Sequence, residues 1–301
     1  KARGFAVIDR EVVLGIDYVR MSVPSDLSLK AAIRLARILG AKDASADPLY
    51  TGSGAAEAAS PPSTGNGPRV GMIDGGVSGR ATQRGFAAGA PRASVHGTAV
   101  ASLIAGSGRV RGAAPGAQIF AADVYGNDPA GGNATAIVKA LGWLAVQRVP
   151  VVNISLVGPP NPLLGRVVAA AQARGMIIVA AVGNDGAASP PSYPASYPGV
   201  IAVTATDAHK RVLIEAGRAL HLDYAAPGAD MLAADIAGGT APVRGTSFAS
   251  PLVAGAIART YSMPDPSRRA AALAVVDAGA EKLGKRYGRG LVCTPCRTPV
   301  K

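Results

Sequence analysis

The sequence predicts an α/β protein built on a parallel sheet flanked by helices and preceded by a small α+β unit. Three observations carry that expectation. From Arg69 onward, short apolar runs rich in β-branched residues alternate with helix-length stretches, the pattern of parallel strands joined by crossover helices. Several of those runs are apolar at every position, as strands buried on both faces must be. Aromatic residues make up only 4% of the 301 positions, while Gly number 38 and Pro 23. The core must therefore be Ala, Val, Ile and Leu with many turns, which favours helices layered on a sheet.

Read in order, Phe5 to Ile8 and Ile16 to Val23 carry strand-type residues, and Ser28 offers an N-cap to a helix from Leu29 to Leu39 that Gly40 stops. The stretch from Thr51 to Gly67 is nearly all small residues, Gly and Pro, and reads as an exposed linker. Strands are then expected at Arg69 to Ile73, Gln118 to Val124, Val151 to Ser155, Met176 to Val182 and Val200 to Thr204. Helices are expected at His96 to Ile104, Asn133 to Val146, Pro162 to Arg174 and Ser247 to Tyr261. The organisation is thus a small unit over 1–50, a linker over 51–67, a large domain over 68–292 and a tail over 293–301.

Lys and Arg total 31 against 19 Asp and Glu, a net charge of +12. A basic balance can signal nucleic acid, but here the basic residues are scattered and no aromatic-interleaved stripe or zinc-binding spacing accompanies them. No nucleic-acid partner is expected. No apolar run approaches the roughly 18 residues of a membrane span, so no transmembrane segment is expected. Cys293 and Cys296 form a lone CTPC near the end, which reads as a terminal disulfide or as two inert thiols. His209 and His221 read as ordinary surface or core residues.

Three segments each set one chemically useful side chain beside an apolar run: VGMIDGGV around Asp74, HGTAVASLIAG from His96 and GTSFASPLVAG around Ser247. Singly, they read as a turn residue, a helix-start residue and an N-cap. Together they are the set that makes a hydroxyl nucleophilic near neutral pH. The imidazole takes the serine proton, and the carboxylate fixes the imidazole tautomer and stabilises its charged form. A GxSxG elbow is absent, since residues 245–249 read GTSFA, so a lipase or esterase fold is disfavoured.

With Asp, His and Ser in that chain order, and with a fourth block VAAVGNDG around Asn184, residues 68–292 resemble the subtilisin-family serine endopeptidases, the subtilases. The resemblance implies a subtilisin-like parallel sheet and peptide-bond hydrolysis by Ser247, with His96 as general base, Asp74 as its partner and Asn184 as oxyanion donor. It also implies polypeptide substrates held as added strands against Ala130 to Asn133, which includes Gly131 and Gly132, and against Ser155, Leu156, Val157 and Gly158. The second segment reads SLVG where the family commonly has SLGG. Val157, and Ser192 in PPSYPA, are therefore expected to narrow the pocket for the residue before the cut bond.

The family often carries a calcium loop after the histidine helix. Here that stretch reads SGRVRG, with two arginines and no carboxylate, so no cofactor is expected, although calcium at another site stays possible. The first 50 residues, ending in ASADPLY, resemble the family's propeptide. This implies a zymogen that cuts itself between Tyr50 and Gly67 and keeps the small unit as an intramolecular inhibitor, with export to the periplasm or exterior. The alternative is a catalytically silent subtilase fold serving as a binding or chaperone module.

Overall fold

The computed structural model describes residues 4–52, 66–127 and 132–300. The first segment opens with an antiparallel hairpin of β1 (Ala6–Val13) and β2 (Ile16–Ser22). Its two turn residues, Leu14 and Gly15, both have positive φ, at 52° and 85°, the backbone that matches the twist of a tight hairpin. Ser28 then caps α1 (Leu29–Ile38) by accepting from the Ala31 amide, and the segment ends in β3 (Thr51–Gly52). The large domain follows with β4 (Arg69–Asp74), β5 (Thr82–Gly85), α2 (Val95–Ala105), β6 (Gln118–Asp123), α3 (Ala134–Val146), β7 (Val151–Ile154), β8 (Leu156–Val157) and α4 (Pro162–Ala173). It continues through β9 (Ile177–Ala181), β10 (Ile201–Thr206), β11 (Tyr224–Pro227), β12 (Met231–Ala234), β13 (Thr240–Val243), α5 (Thr246–Ala258) and α6 (Arg269–Gly279).

Seven strands form one parallel sheet in the order β11-β10-β9-β7-β4-β6-β5. After β4 the chain builds outward through β5 and β6, then crosses back to lay β7, β9, β10 and β11 on the other side. The order therefore reverses between β4 and β7, and a cleft at the carboxyl ends of those two strands is where such sheets place their ligands. Alternate residues of each strand serve opposite faces. Val70, Met72, Ile177, Val179, Ile201 and Val203 pack with α2, α5 and α6, whereas Ile73, Val152, Ile154, Ile178 and Ala180 pack with α3 and α4.

The hairpin sits on the helices of the second face. Val13 and Tyr18 are buried in that core, and Lys139 of α3 bonds to both Asp9 and Glu11. Arg166 of α4 pairs with Asp43 at 2.9 Å. The expected strands and helices are found with shifts of a residue or two at most ends, but β1 runs five residues beyond the expected Ile8. Strands β5, β8, β11, β12 and β13 and helix α6 were not expected, being too short or too rich in Ala and Pro to show a period. Two of the residues assigned to the linker, Thr51 and Gly52, are strand, and 53–65 lie outside the described residues. The terminal segment is anchored. Cys293 and Cys296 form a disulfide, and Thr298 accepts from Leu232 of β12 at 2.8 Å.

Because α5 lies inside the core, truncating one of its fully buried side chains leaves a cavity that little can fill. Ile257→Ala is expected to lose about 2–5 kcal/mol of stability, read as a lower denaturant midpoint at unchanged slope.

Candidate active site

Asp74 is the last residue of β4, buried at the carboxyl end of the sheet, and His96 is the second residue of α2. Ser94 caps α2 by accepting from Gly97 at 2.9 Å, which fixes where the helix begins. A Cβ on Gly97 would stand 2.4 Å from the Gly75 carbonyl oxygen, so only glycine lets the helix start this close to the turn after β4. The result is a two-oxygen contact: His96 Nδ1 lies 2.9 Å from both Oδ1 and Oδ2 of Asp74. An ionised carboxylate only accepts, so Nδ1 carries the proton and Nε2 presents its lone pair. Nε2 is buried and has no hydrogen-bond partner among the described residues.

Ser247 is the second residue of α5, whose residues are all buried except Ala256. Pro251 lies four residues on and has no N–H, so it cannot make the helical bond to the Ser247 carbonyl. Ser155, just past β7, supplies the missing donor: its hydroxyl donates to that carbonyl at 2.9 Å. In return the Ser247 hydroxyl donates to the Ser155 carbonyl at 3.0 Å. The ring of Phe248 lies 5.3 Å from that of His96, which puts the start of α5 beside the start of α2. Asn184, beyond β9, accepts on Oδ1 from the Thr246 amide at 3.0 Å and from the Thr246 hydroxyl at 3.1 Å. A backbone N–H can only donate, so the amide orientation is set by chemistry, with its NH₂ turned away from Thr246.

The described residues expected to bind substrate line one groove, and the chain's own segment lies in it. The Tyr50 amide donates to the Gly132 carbonyl at 2.8 Å on one side. On the other, β3 pairs antiparallel with β8, Thr51 opposite Val157 and Gly52 opposite Leu156. Gly52 lies against the histidine, a Cβ there standing 3.7 Å from His96 Nε2. Val157 and Ser192 come together over Gly183, their side-chain atoms 3.4 and 3.0 Å from where a Cβ on Gly183 would be. Gly158 exchanges two backbone bonds with Tyr193. Gly131 lies outside the described residues.

Sequence reasoning missed Thr246, Tyr125 and the role of Tyr50. Thr246 sits inside the quoted GTS block, and Tyr50 ends the quoted ASADPLY, so both were in view without a stated function. Nothing in the sequence around Tyr125 marks it. Burial pushes its phenol well above the ordinary range, aided by the charge of Asp74. For His96, burial opposes protonation, but the charge of Asp74 and its hydrogen bond outweigh it, and the imidazole titrates above its ordinary 6.5. Among the described residues no cluster of His, Cys, Asp or Glu is placed to hold a metal ion, and no helix is long and apolar enough to cross a membrane.

A profile of the subtilase family, Peptidase_S8, matches residues 80–285, a span that holds His96, Asn184 and Ser247 and begins just after Asp74. Subtilisin BL from Lederbergia lenta is 37% identical over 207 residues, 65% of this chain and 76% of its own length. Subtilisin DY from Bacillus licheniformis is 32% identical over 242 residues, 74% of this chain and 88% of its own. Among solved structures, the self-cleaved protease domain of PatA has a TM-score of 0.63 at 27% identity, covering 76% of this chain and 94% of that one.

The histidine's titration follows from the balance just described. Followed by NMR, His96 is expected to titrate above 6.5 in the native chain and to fall below it in Asp74→Asn, where burial acts alone. The sign for stability is fixed too. The stabilisation from the charged pair is full below 6.5 and lost as pH rises through the raised native value.

Proposed function

The chain belongs to the subtilase family and is a subtilisin-like serine endopeptidase, and from that premise we propose that Asp74, His96, Ser247 and Asn184 are its catalytic residues. The observation that carries the proposal is the bare, buried Nε2 of an imidazole held on its other nitrogen by both oxygens of Asp74. Ser247 turns its hydroxyl from the Ser155 carbonyl toward Nε2 and attacks the peptide carbonyl carbon as His96 takes its proton. The carbonyl oxygen gains the charge and is met by the Asn184 NH₂ and the Ser247 amide at the start of α5. His96 then passes its proton to the departing amine. Water repeats the sequence on the acyl-enzyme, returning the proton to Ser247.

The same reading makes the described chain a zymogen. A segment running antiparallel to β8, bonded to Gly132 and lying against His96, occupies the groove as a substrate does, and the hairpin unit behind it acts as the inhibitor. We place the cut just beyond Gly52. The mechanism uses no cofactor, and the sequence SGRVRG after α2 supports the loss of the family's calcium loop. A disulfide at the end of the chain supports a mature enzyme that works outside the cytoplasm.

Two outcomes test this. Wild type is expected to yield a new amino terminus just past Gly52 and then to label with a fluorophosphonate. Ser247→Ala should stay whole and unlabelled, and Asn184→Ala should cut about 10²- to 10³-fold more slowly, the magnitude measured for the corresponding donor in a subtilisin. Uncut wild type, or unlabelled cut enzyme, would overturn the assignment. Second, Val157 and Ser192 crowd the pocket over Gly183. Peptide profiling should therefore favour Ala, Leu or Met over Phe and Tyr before the cut bond by about 10- to 200-fold, with Val157→Gly relaxing the preference.

A further inference from the structure

The CTPC motif stands far in sequence from the proposed chemistry, yet the segment it opens braces the helix that carries His96. Beyond Val292 the chain reverses through Cys293, whose φ of 64° is left-handed, a backbone that disfavours any residue with a Cβ. The 3-10 turn that follows, Thr294–Cys296, is too short to hold itself, and Pro295 brings no N–H to it. Its backbone bonds run from Cys296 to the Cys293 carbonyl at 2.9 Å and from Arg297 to the Thr294 carbonyl at 3.3 Å. The Cys293–Cys296 disulfide closes the reversal covalently.

That reversal delivers Thr298 to a buried position between two elements. Its carbonyl accepts from the Leu232 amide of β12 at 2.8 Å, and its hydroxyl accepts from the Arg111 amide, in the loop after α2, at 2.9 Å. Arg297 adds a bond to the Asp230 carbonyl at 2.6 Å, and Arg111 one to the Pro295 carbonyl at 3.3 Å. From Thr294 to Val300 only Thr298 is buried, so the segment is held by directional bonds and depends on being aimed correctly. Both elements it joins support the carboxyl end of α2. The last carbonyls of a helix lack internal partners, and here those of Leu103, Ile104 and Ala105 accept from the amides of Ala113, Ala114 and Gly116 at 2.8, 2.7 and 2.9 Å. From β12, the Ala234 amide donates to the Ser102 hydroxyl of α2 at 2.9 Å.

We propose that the Cys293–Cys296 disulfide is a redox latch. Oxidised, it fixes Thr298 between β12 and the loop after α2; reduced by a dithiol, it frees the terminal segment and loosens the carboxyl end of the helix that carries His96. In the opening step one thiolate of the dithiol attacks a cysteine sulfur, and the second thiolate displaces the resulting mixed disulfide. Cys293 and Cys296 gain two electrons and two protons to become thiols, and the dithiol becomes a disulfide. Both cysteines are partly exposed, so a small dithiol reaches them. Disulfides persist in oxidising compartments and are reduced in a cytosol, so the chain is fully braced only in the former.

The test uses full-length, air-oxidised Ser247→Ala, in which self-cleavage cannot intrude. Free thiols are titrated first, and amide hydrogen exchange is then read residue by residue by NMR before and after dithiothreitol. Reduction is expected to speed exchange about tenfold or more at Arg111 and Leu232 and about threefold or more at Ala113 and Ala114, with Ile178 inside the sheet unchanged. Cys293→Ser combined with Cys296→Ser should show the reduced pattern and ignore the reductant. Thr298→Val keeps the disulfide and should speed exchange at Arg111 while leaving Leu232 as it was, because that amide bonds the Thr298 backbone. The reduction is done on folded protein, so the test stands even where the double variant does not fold. Two free thiols in the air-oxidised protein, equal exchange at Arg111 and Leu232 in both redox states, or a response to dithiothreitol in the double variant overturns the proposal. Exchange that rises equally at Ile178 also overturns it, since the whole fold then loosens rather than the brace.

Discussion

Helix α5 is enclosed on every side, and most of what is distinctive about this site follows from that confinement. Among its residues only Ala256 escapes burial. A helix so placed can touch its neighbours closely only if its residues are small, which accounts for the run of Ala, Gly and Ser along it. A buried helix also has to satisfy its polar groups without water. Pro251 removes one internal donor, and the Ser155 hydroxyl fills the place at 2.9 Å. Ser250 stands 3.2 Å from the same hydroxyl, and the Asn153 amide donates to it at 2.8 Å. Ser247 is thereby fixed by a polar network at the end of β7 rather than by a loop free to adjust. One atom of this network, Asn153 Oδ1, is buried with no hydrogen-bond partner among the described residues, a cost the network carries.

That same sheet end explains why the four candidate residues meet. Asp74 ends β4, Ser155 follows β7 and Asn184 follows β9, and those three strands are adjacent in the sheet. His96 and Ser247 come from helices that begin next to them. The hairpin unit approaches from the side of α3 and α4, and its ion pairs with Lys139 and Arg166 are partly exposed, where such pairs contribute little. Attachment rests instead on burial of Val13, Tyr18 and Tyr50. The hairpin is thus a clamp on the outer helices, and the groove segment is the part that reaches the chemistry.

Much of this was legible from the residues. Interior strands such as Ile177 to Ala181 are apolar throughout and announce themselves, and the blocks around Asp74, His96 and Ser247 carry a residue set with one obvious joint use. What escaped reading was of two kinds. Short strands such as β8 and β13 have too few residues for a period, and they exist because a neighbour pairs with them. Residues such as Thr246 and Tyr125 act through partners far away in sequence: Asn184 for one, Gly52 and His96 for the other. The linker boundary failed for a related reason. Thr51 and Gly52 look like the small residues that follow them, yet they lie in a groove whose backbone groups will pair with any extended chain.

If the groove segment is the inhibitor proposed above, inhibition and substrate binding draw on one set of backbone contacts, those with Gly132 and β8. The Pro159 carbonyl and the space over Gly158 strengthen the hold of the groove on Tyr50 of the chain's own segment. A peptide competing for the groove would gain the backbone bonds with Gly132 and β8 but would lack the hairpin. The covalently attached or retained unit adds Val13, Tyr18 and the salt links, and so holds at higher effective concentration. If the small unit is the proposed inhibitor, its release depends on loss of the hairpin's hold on α3 and α4, since the backbone contacts in the groove are common to both occupants and cancel in the exchange.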